Sequence, residues 1–352
     1  MSLSAFIVEA VVLKTACIVN GVPLKMAAKR YTPTASTKKD GKVLIFLHAS
    51  GTHKEHWEPV IAKIFSSTEG VKECWAFDSL SHGESALLNA KEITGFSPSI
   101  SDWARGVTEL VENRLQGERI VIVGHSAGAS AASVSFYIYL NFFIDGISRM
   151  FSTKCYSSST PPYESIILVE PPLIDRHVFQ ANIKDRERQT AMLTKAVAAQ
   201  RNMWDNRKAA FDYFVKRAPW KTWDIRIVVI QVNHGLRPVD SEHPLESVAT
   251  KCDKRHEAGS FTDFESTFNA TEQIEKVCAT VPIHIIYGKK DSLVPQYSQD
   301  SLSDLSKGRK PASVSRISSG GHLLVQEDPD AVSAQILSIL NQPHRDDVTP
   351  RL

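Results

Sequence analysis

The sequence predicts an α/β protein: a mostly parallel, doubly wound sheet with a helical segment inserted after its sixth core strand. Three observations predict it. Short apolar, β-rich runs recur along the chain. Segments able to form helices separate them. Between Pro172 and Pro282 the text changes to long amphipathic stretches.

The first forty residues, "AFIVEAVVLKT" then "LKMAAKRYTP", read as a leading antiparallel hairpin. The runs that follow are Lys42–Ser50, Cys74–Ser79, Arg119–Ser126, Ser165–Pro172, Pro282–Gly288 and Ser313–His322. They are nearly continuous in apolar residues rather than alternating, as parallel strands covered on both faces must be. The stretch from Phe179 to Trp204 and that from Ala209 to Gly235 read as mostly helical, with no comparable strand between them. The 352 residues suit one large domain with an insertion. The expected division is a core of 1–172 and 282–341, a cap of 173–281, and a flexible polar tail of 342–352 carrying a C-terminal address.

Bulk properties narrow the function. Apolar content is 42% and charged content 23%, ordinary for a globular chain. A net charge of +2 gives no electrostatic case for nucleic acid or an anionic membrane. Cys17, Cys74, Cys155, Cys252 and Cys278 are scattered, with no C-x-x-C pair. They read as thiols in a reducing compartment rather than a disulfide or zinc framework. The run Ala127–Ile144 is uncharged for about the length of a membrane span. Its first half is Ala, Ser and Gly, so it reads as a buried helix entering an apolar lid.

Gly124-His125-Ser126-Ala127-Gly128 fits G-x-S-x-G directly after one strand and before a helix. That context makes Ser126 a candidate nucleophile on a sharp strand–helix turn. A serine hydroxyl needs a base to take its proton. His322, in "SSGGHLLVQEDPDAV" after the last strand, is the candidate base. An oxyanion needs two backbone N–H donors. Ala127, next to the nucleophile, and Ser50, in the loop after "LIFLH", are the candidates, with His48 fixing that loop. The segment Asp78–Ser85, "DSLSHGES", is expected to line the floor of the site. His53, His56 and His82 read as surface-loop residues, and His284 as a strand residue. Two carboxylates end strands where a triad acid could sit: Asp291 after the seventh strand and Glu170 after the sixth. Spacing alone leaves both open.

The chain resembles fungal peroxisomal α/β-hydrolases, the group holding the mycophenolic acid pathway acyl-CoA thioesterase, the AK-toxin esterase-like proteins and the yeast peroxisomal lipase. The resemblance rests on "LKMAAKRYTP", "HASGTHKEHWEPVI", "DSLSHGESALLNAKEI", "GHSAGAS", "LVEPPLI", "KTWDIRIVVIQVNHGLRP" and "SSGGHLL". It implies the α/β-hydrolase fold and hydrolysis of an ester or acyl-CoA thioester in lipid or secondary metabolism, with no metal or organic cofactor. It places the acid after the sixth strand, where the family has Asp-Pro and this chain has Glu170-Pro171. Glu170 is therefore favoured over Asp291. It also makes Pro350-Arg351-Leu352 a variant of the peroxisomal address read by an import receptor, with a cytoplasmic location as the alternative. One stretch departs from the family. Roughly 136–163 is extra, and reads either as a lid extension or as a gene-model artefact. The competing activities are an acyltransferase using the same acyl-enzyme, and a ligand-binding protein without turnover.

Overall fold

The computed structural model describes residues 6–35, 37–144, 163–240, 242–243, 246–290 and 293–342. It opens on a long hairpin, β1 (Phe6–Val19) and β2 (Val22–Pro33), paired antiparallel. Asn20 and Gly21 turn it with φ of +51° and +80°, the left-handed pair that matches strand twist in a two-residue turn. Then follow β3 (Lys42–Leu47), α1 (Glu58–Ser67), β4 (Val71–Phe77), α2 (Gly83–Leu88), α3 (Ile100–Arg114), β5 (Ile120–His125), α4 (Ala127–Ile144) and β6 (Ser165–Val169). The eight-stranded sheet has the order β1-β2-β4-β3-β5-β6-β10-β11, where β10 is Ile283–Gly288 and β11 is Ser313–Ile317. From β4 to β11 every neighbouring pair is parallel. The sequence-predicted α/β-hydrolase architecture is what is observed.

Burial explains why most of these strands read as continuous runs; the exception is the edge strand β11, where half-buried and exposed residues alternate. Every residue of β5, β6 and β10 is buried. Side chains alternate between two cores. Ile45, Leu47, Ile122 and Leu168 face one cluster with α3 and α4. Leu44, Phe46, Val121 and Ile167 face the other, with α1 and the final helix α13 (Pro329–Leu340). The small residues of α4 serve this packing: Ala129, Ser130, Ala131 and Ala132 are fully buried. Among the described residues no helix is long and apolar enough to cross a membrane. Residues 145–162 of the extra segment lie outside the described residues.

Between β6 and β10 lie α5 (Arg176–Ala181), α6 (Ile183–Ala199), α7 (Arg207–Phe214), α8 (Ile225–His234), α9 (Lys254–Gly259) and α10 (Phe264–Val277). Two features differ from expectation. This segment also holds a small three-stranded sheet of β7 (Met203–Trp204), β9 (Val248–Thr250) and β8 (Leu236–Pro238). Strands of two or three residues leave no periodic trace in a sequence. Second, α10 falls in the range assigned to the cap, yet Ala270, Ile274 and Val277 pack into the main core. The segment from Trp204 to Val248 has its own core around Trp204, Phe214, Trp220, Trp223 and Ile227, and Phe179 of α5 packs in a smaller cluster with Phe268 of α10. The fold closes with α11 (Gln296–Ser301), α12 (Leu324–Glu327) and α13.

Candidate active site

Ser126 stands at the turn between β5 and α4 with φ of +52°. That left-handed backbone costs a non-glycine residue about 1 kcal/mol or more and needs support from its surroundings. The support is close packing by the flanking glycines. A Cβ on Gly124 would meet the Gly128 carbonyl oxygen at 2.2 Å. One on Gly128 would meet the Leu47 carbonyl oxygen at 2.3 Å. The two glycines are thus required by backbone-to-backbone approach. The second also draws the start of α4 against the end of β3.

Ser126 Oγ lies 2.9 Å from His322 Nε2, and His322 Nδ1 lies 3.0 Å from Glu170 Oε2. With Nδ1 protonated and donating to the carboxylate, Nε2 is left to accept the serine proton. Glu170 is fully buried and sits just past β6 with φ of +49°. Its second oxygen accepts the Gly288 backbone N–H at 2.5 Å. Its own N–H donates to the Ile286 carbonyl at 2.8 Å. The carboxylate is therefore clamped from the end of β10, which is what orients it at the imidazole. His125 adds a further tie, its Nε2–H donating to the His322 carbonyl at 2.8 Å. Burial lowers the His125 pKa to about 4, so it serves as a neutral donor. Asp291 lies outside the described residues, as do Pro350, Arg351 and Leu352.

The loop after β3 carries Ser50, which lines the same cavity as Ala127, Ser126 and His322. Gly51 follows with φ of +71°. Its N–H donates to His82 Nε2 at 3.1 Å, and His82 Nδ1–H then donates to Ser79 Oγ at 2.7 Å. The Ser79 N–H in turn donates to His48 Nε2 at 3.0 Å, and His48 Nδ1–H to the Ala49 carbonyl at 2.7 Å. Burial holds His82 down at about 3 and His48 well below the usual imidazole range. Both rings are thus neutral, with tautomers set by this chain of bonds. The reading of His53, His56 and His82 as surface-loop residues is corrected here. All three are buried, because the cap and the 78–85 loop close over them. His56 Nε2, for example, pairs with Gln231 of α8 at 2.9 Å.

Beneath that loop Lys54 and Asp78 form a buried ion pair at 2.7 Å, and Asp78 also accepts the Lys54 and Glu84 N–H groups. The motif residues of "DSLSHGES" therefore act as a strut for the Ser50 loop. Gly83 is required there, since a Cβ would meet Asp78 Oδ2 at 2.3 Å. The roles of His125 and Lys54 carry no mark in the sequence, whereas Asp78 lies in the segment expected to line the site floor. For Gly288 the signal is a glycine closing an apolar strand in "IIYG".

The site opens on a cavity of about 510 Å³. Its walls include Ile174, Phe179, Leu193, Val197, Trp220 and Trp223, so much of the space is apolar. Glu257 of α9 reaches the same cavity, its carboxyl abutting Gly51. Burial pushes its pKa up to about 7. Of the cysteines, Cys252 lines the cavity, whereas Cys17, Cys74 and Cys278 are buried; these four are free thiols.

A family model described as the alpha/beta hydrolase family matches residues 44–335. No curated protein matches the chain in sequence. Solved structures similar in fold include the peroxisomal alpha-beta-hydrolase Lpx1 of Saccharomyces cerevisiae, 18% identical, with a TM-score of 0.73 over 99% of this chain and 93% of that one. An esterase of M. tuberculosis is 16% identical, with a TM-score of 0.62 over 96% and 93%. The thioesterase domain from the curacin biosynthetic pathway is 16% identical, with a TM-score of 0.61 over 94% and 99%. At such identities the likeness to these structures is one of fold. The family model spans most of the chain and includes the Ser126 elbow, Glu170 and His322. The chain belongs to the alpha/beta hydrolase family.

Proposed function

We propose that the protein hydrolyses an ester or acyl-CoA thioester through an acyl-enzyme on Ser126. The observation that carries the reading is the hydrogen-bonded line Ser126–His322–Glu170 at the wall of an apolar cavity. In this mechanism His322 Nε2 takes the Ser126 proton as Oγ attacks the carbonyl. Glu170 keeps Nδ1 protonated and stabilises the imidazolium that forms. The N–H groups of Ala127 and Ser50 hold the oxyanion. His322 then protonates the departing alcohol or thiol and activates the water that frees the acid.

The fungal thioesterase resemblance, the walls of the cavity and the thioesterase fold likeness support an acyl thioester as one substrate class. The C-terminal Pro350-Arg351-Leu352 and the peroxisomal source of one structural neighbour support import into that organelle. A panel of acyl-CoA thioesters and simple esters tests the chemistry. Turnover should vanish in Ser126→Ala, and normal turnover in that variant would sink the mechanism. Product analysis with and without an alcohol acceptor separates hydrolysis from acyl transfer. Location is tested by a tagged protein with and without its last three residues. Identical cytosolic distribution of the two would refute the peroxisomal reading.

A further inference from the structure

One face of α6 lines the cavity: Arg186, Gln189, Thr190, Leu193, Val197 and, just beyond the helix, Gln200. Their spacing of three and four residues puts them on a single stripe. The stripe is apolar in the middle and begins with a guanidinium. An arginine stays charged at any pH the fold survives. Its burial against apolar surface is costly unless its donors are met.

Among the described residues the donors of Arg186 are only partly met. The side chain is 13% exposed. Its Nε is buried and has no hydrogen-bond partner among the described residues. Among the described residues its one carboxylate contact is with the adjacent Asp185, at 3.4 Å. Asp185 is 39% exposed and already accepts Arg188 at 2.8 Å and the Tyr297 hydroxyl at 2.6 Å. The Arg186 guanidinium lies 5.3 Å from the Tyr297 ring centroid and also interacts with the Tyr297 hydroxyl, which fixes its plane but leaves the buried Nε without a partner among the described residues. Tyr297 packs against the cluster of Ile174, Phe179 and Phe268, of which Ile174 and Phe179 line the cavity. A guanidinium held in a fixed plane, with Nε unpaired among the described residues, therefore borders the space where the proposed substrate must lie.

We propose that Arg186 is a specificity residue that binds a carboxylate on the substrate. The fork of a guanidinium matches a carboxylate in a bidentate pair, which a lysine ammonium does not. The inference rests on the Ser126 hydrolase reading and adds the substrate class: an ester or thioester bearing a second, anionic group. That group could belong to the acyl chain, as in a half-ester of a dicarboxylic acid, or to the leaving group.

Three chromogenic esters distinguish these cases: p-nitrophenyl hexanoate, the mono-p-nitrophenyl ester of adipic acid, and 5-hexanoyloxy-2-nitrobenzoate. Wild type is expected to favour one carboxylated ester over the neutral one. In Arg186→Met the ratio of their kcat/KM values should fall about 10- to 100-fold, mainly through KM, the range for one charge-assisted hydrogen-bonded contact. Arg186→Lys should recover part of the ratio. Lys195→Met, an exposed change on the same helix, should keep it. Because the ratio is internal to each variant, it reads only the folded enzyme. The ester that loses its advantage shows on which side of the scissile bond the anion lies. No carboxylate preference in wild type, or a preference unmoved by Arg186→Met, overturns the inference. Either result leaves the mechanism standing if hexanoate hydrolysis still depends on Ser126. Hydrolysis independent of Ser126 refutes the mechanism instead.

Discussion

His322 Nδ1 stands 3.0 Å from one oxygen of Glu170, whose other oxygen takes the backbone N–H of Gly288. Glu170 is a methylene longer than aspartate, and that length is used to bridge a strand end and an imidazole.

If Glu170 sets the tautomer of His322, Glu170→Gln should lower kcat by about 10²- to 10⁴-fold while leaving the fold intact. Asp291→Asn should retain activity. Steady-state kinetics on one ester decide the matter. A dead Asp291→Asn beside an active Glu170→Gln would transfer the role of acid to Asp291.

The elbow glycines carry a steric prediction. In Gly124→Ala the new methyl would sit 2.2 Å from the Gly128 oxygen. Backbone must move, at a cost of about 2 kcal/mol or more. A urea melt should show the lowered midpoint. A wild-type midpoint would mean that the turn has more room than its packing indicates.

Lys54 and Asp78 are both buried, and Glu55 lies 3.0 Å from the same ammonium. The two carboxylates together hold Lys54 charged, pushing its pKa above the usual lysine value. Lys54→Met leaves those carboxylates without their cation and should cost about 3–5 kcal/mol. Equilibrium unfolding checks the figure. A loss below about 1 kcal/mol would show that the strut is dispensable.

Stability should depend on pH with two opposing slopes. His48, His56, His82 and His125 are held by burial below the usual imidazole value, His82 at about 3 and His125 at about 4. The unfolded chain takes up protons below about 6.5, where the folded one does not. Their contribution is complete above that pH and is lost as pH falls towards 4, by up to about 1.4 kcal/mol per unit for each ring. Glu257 acts the other way. Its folded pKa, raised to about 7, makes its contribution complete below about 4.5 and lost as pH rises through 7. Glu257→Gln should therefore gain stability over wild type between pH 5 and pH 8. Urea midpoints at four pH values test both slopes. A variant difference that stays constant across that range would refute the Glu257 assignment.

Much of the fold and part of the candidate site could be read directly. The runs around Ile45, Val123, Ile167 and Ile285 are strands buried on both faces, and such strands need apolar residues at every position. Gly-x-Ser-x-Gly is legible because the turn allows no side chain at its first and last positions. His322 was legible because a strand and two glycines precede it. Local sterics and local periodicity leave marks in local text.

What depends on contacts between distant segments left no such mark. The sequence by itself determined the doubly wound sheet, the elbow at Ser126, His322 after the last strand, and the presence of an inserted segment. Only the tertiary structure decided that Glu170 reaches His322, since that requires β6, β10 and the 318–322 loop to meet at one point. Only it buried His53, His56 and His82, because the covering segments are far away in the chain. Only it set Arg186 at the wall of the cavity beside Tyr297, with its Nε unpaired among the described residues. Arg186 sits in the charged run Lys184–Arg188, which does not distinguish it from its neighbours, and its surroundings exist only once the cap has folded onto the sheet.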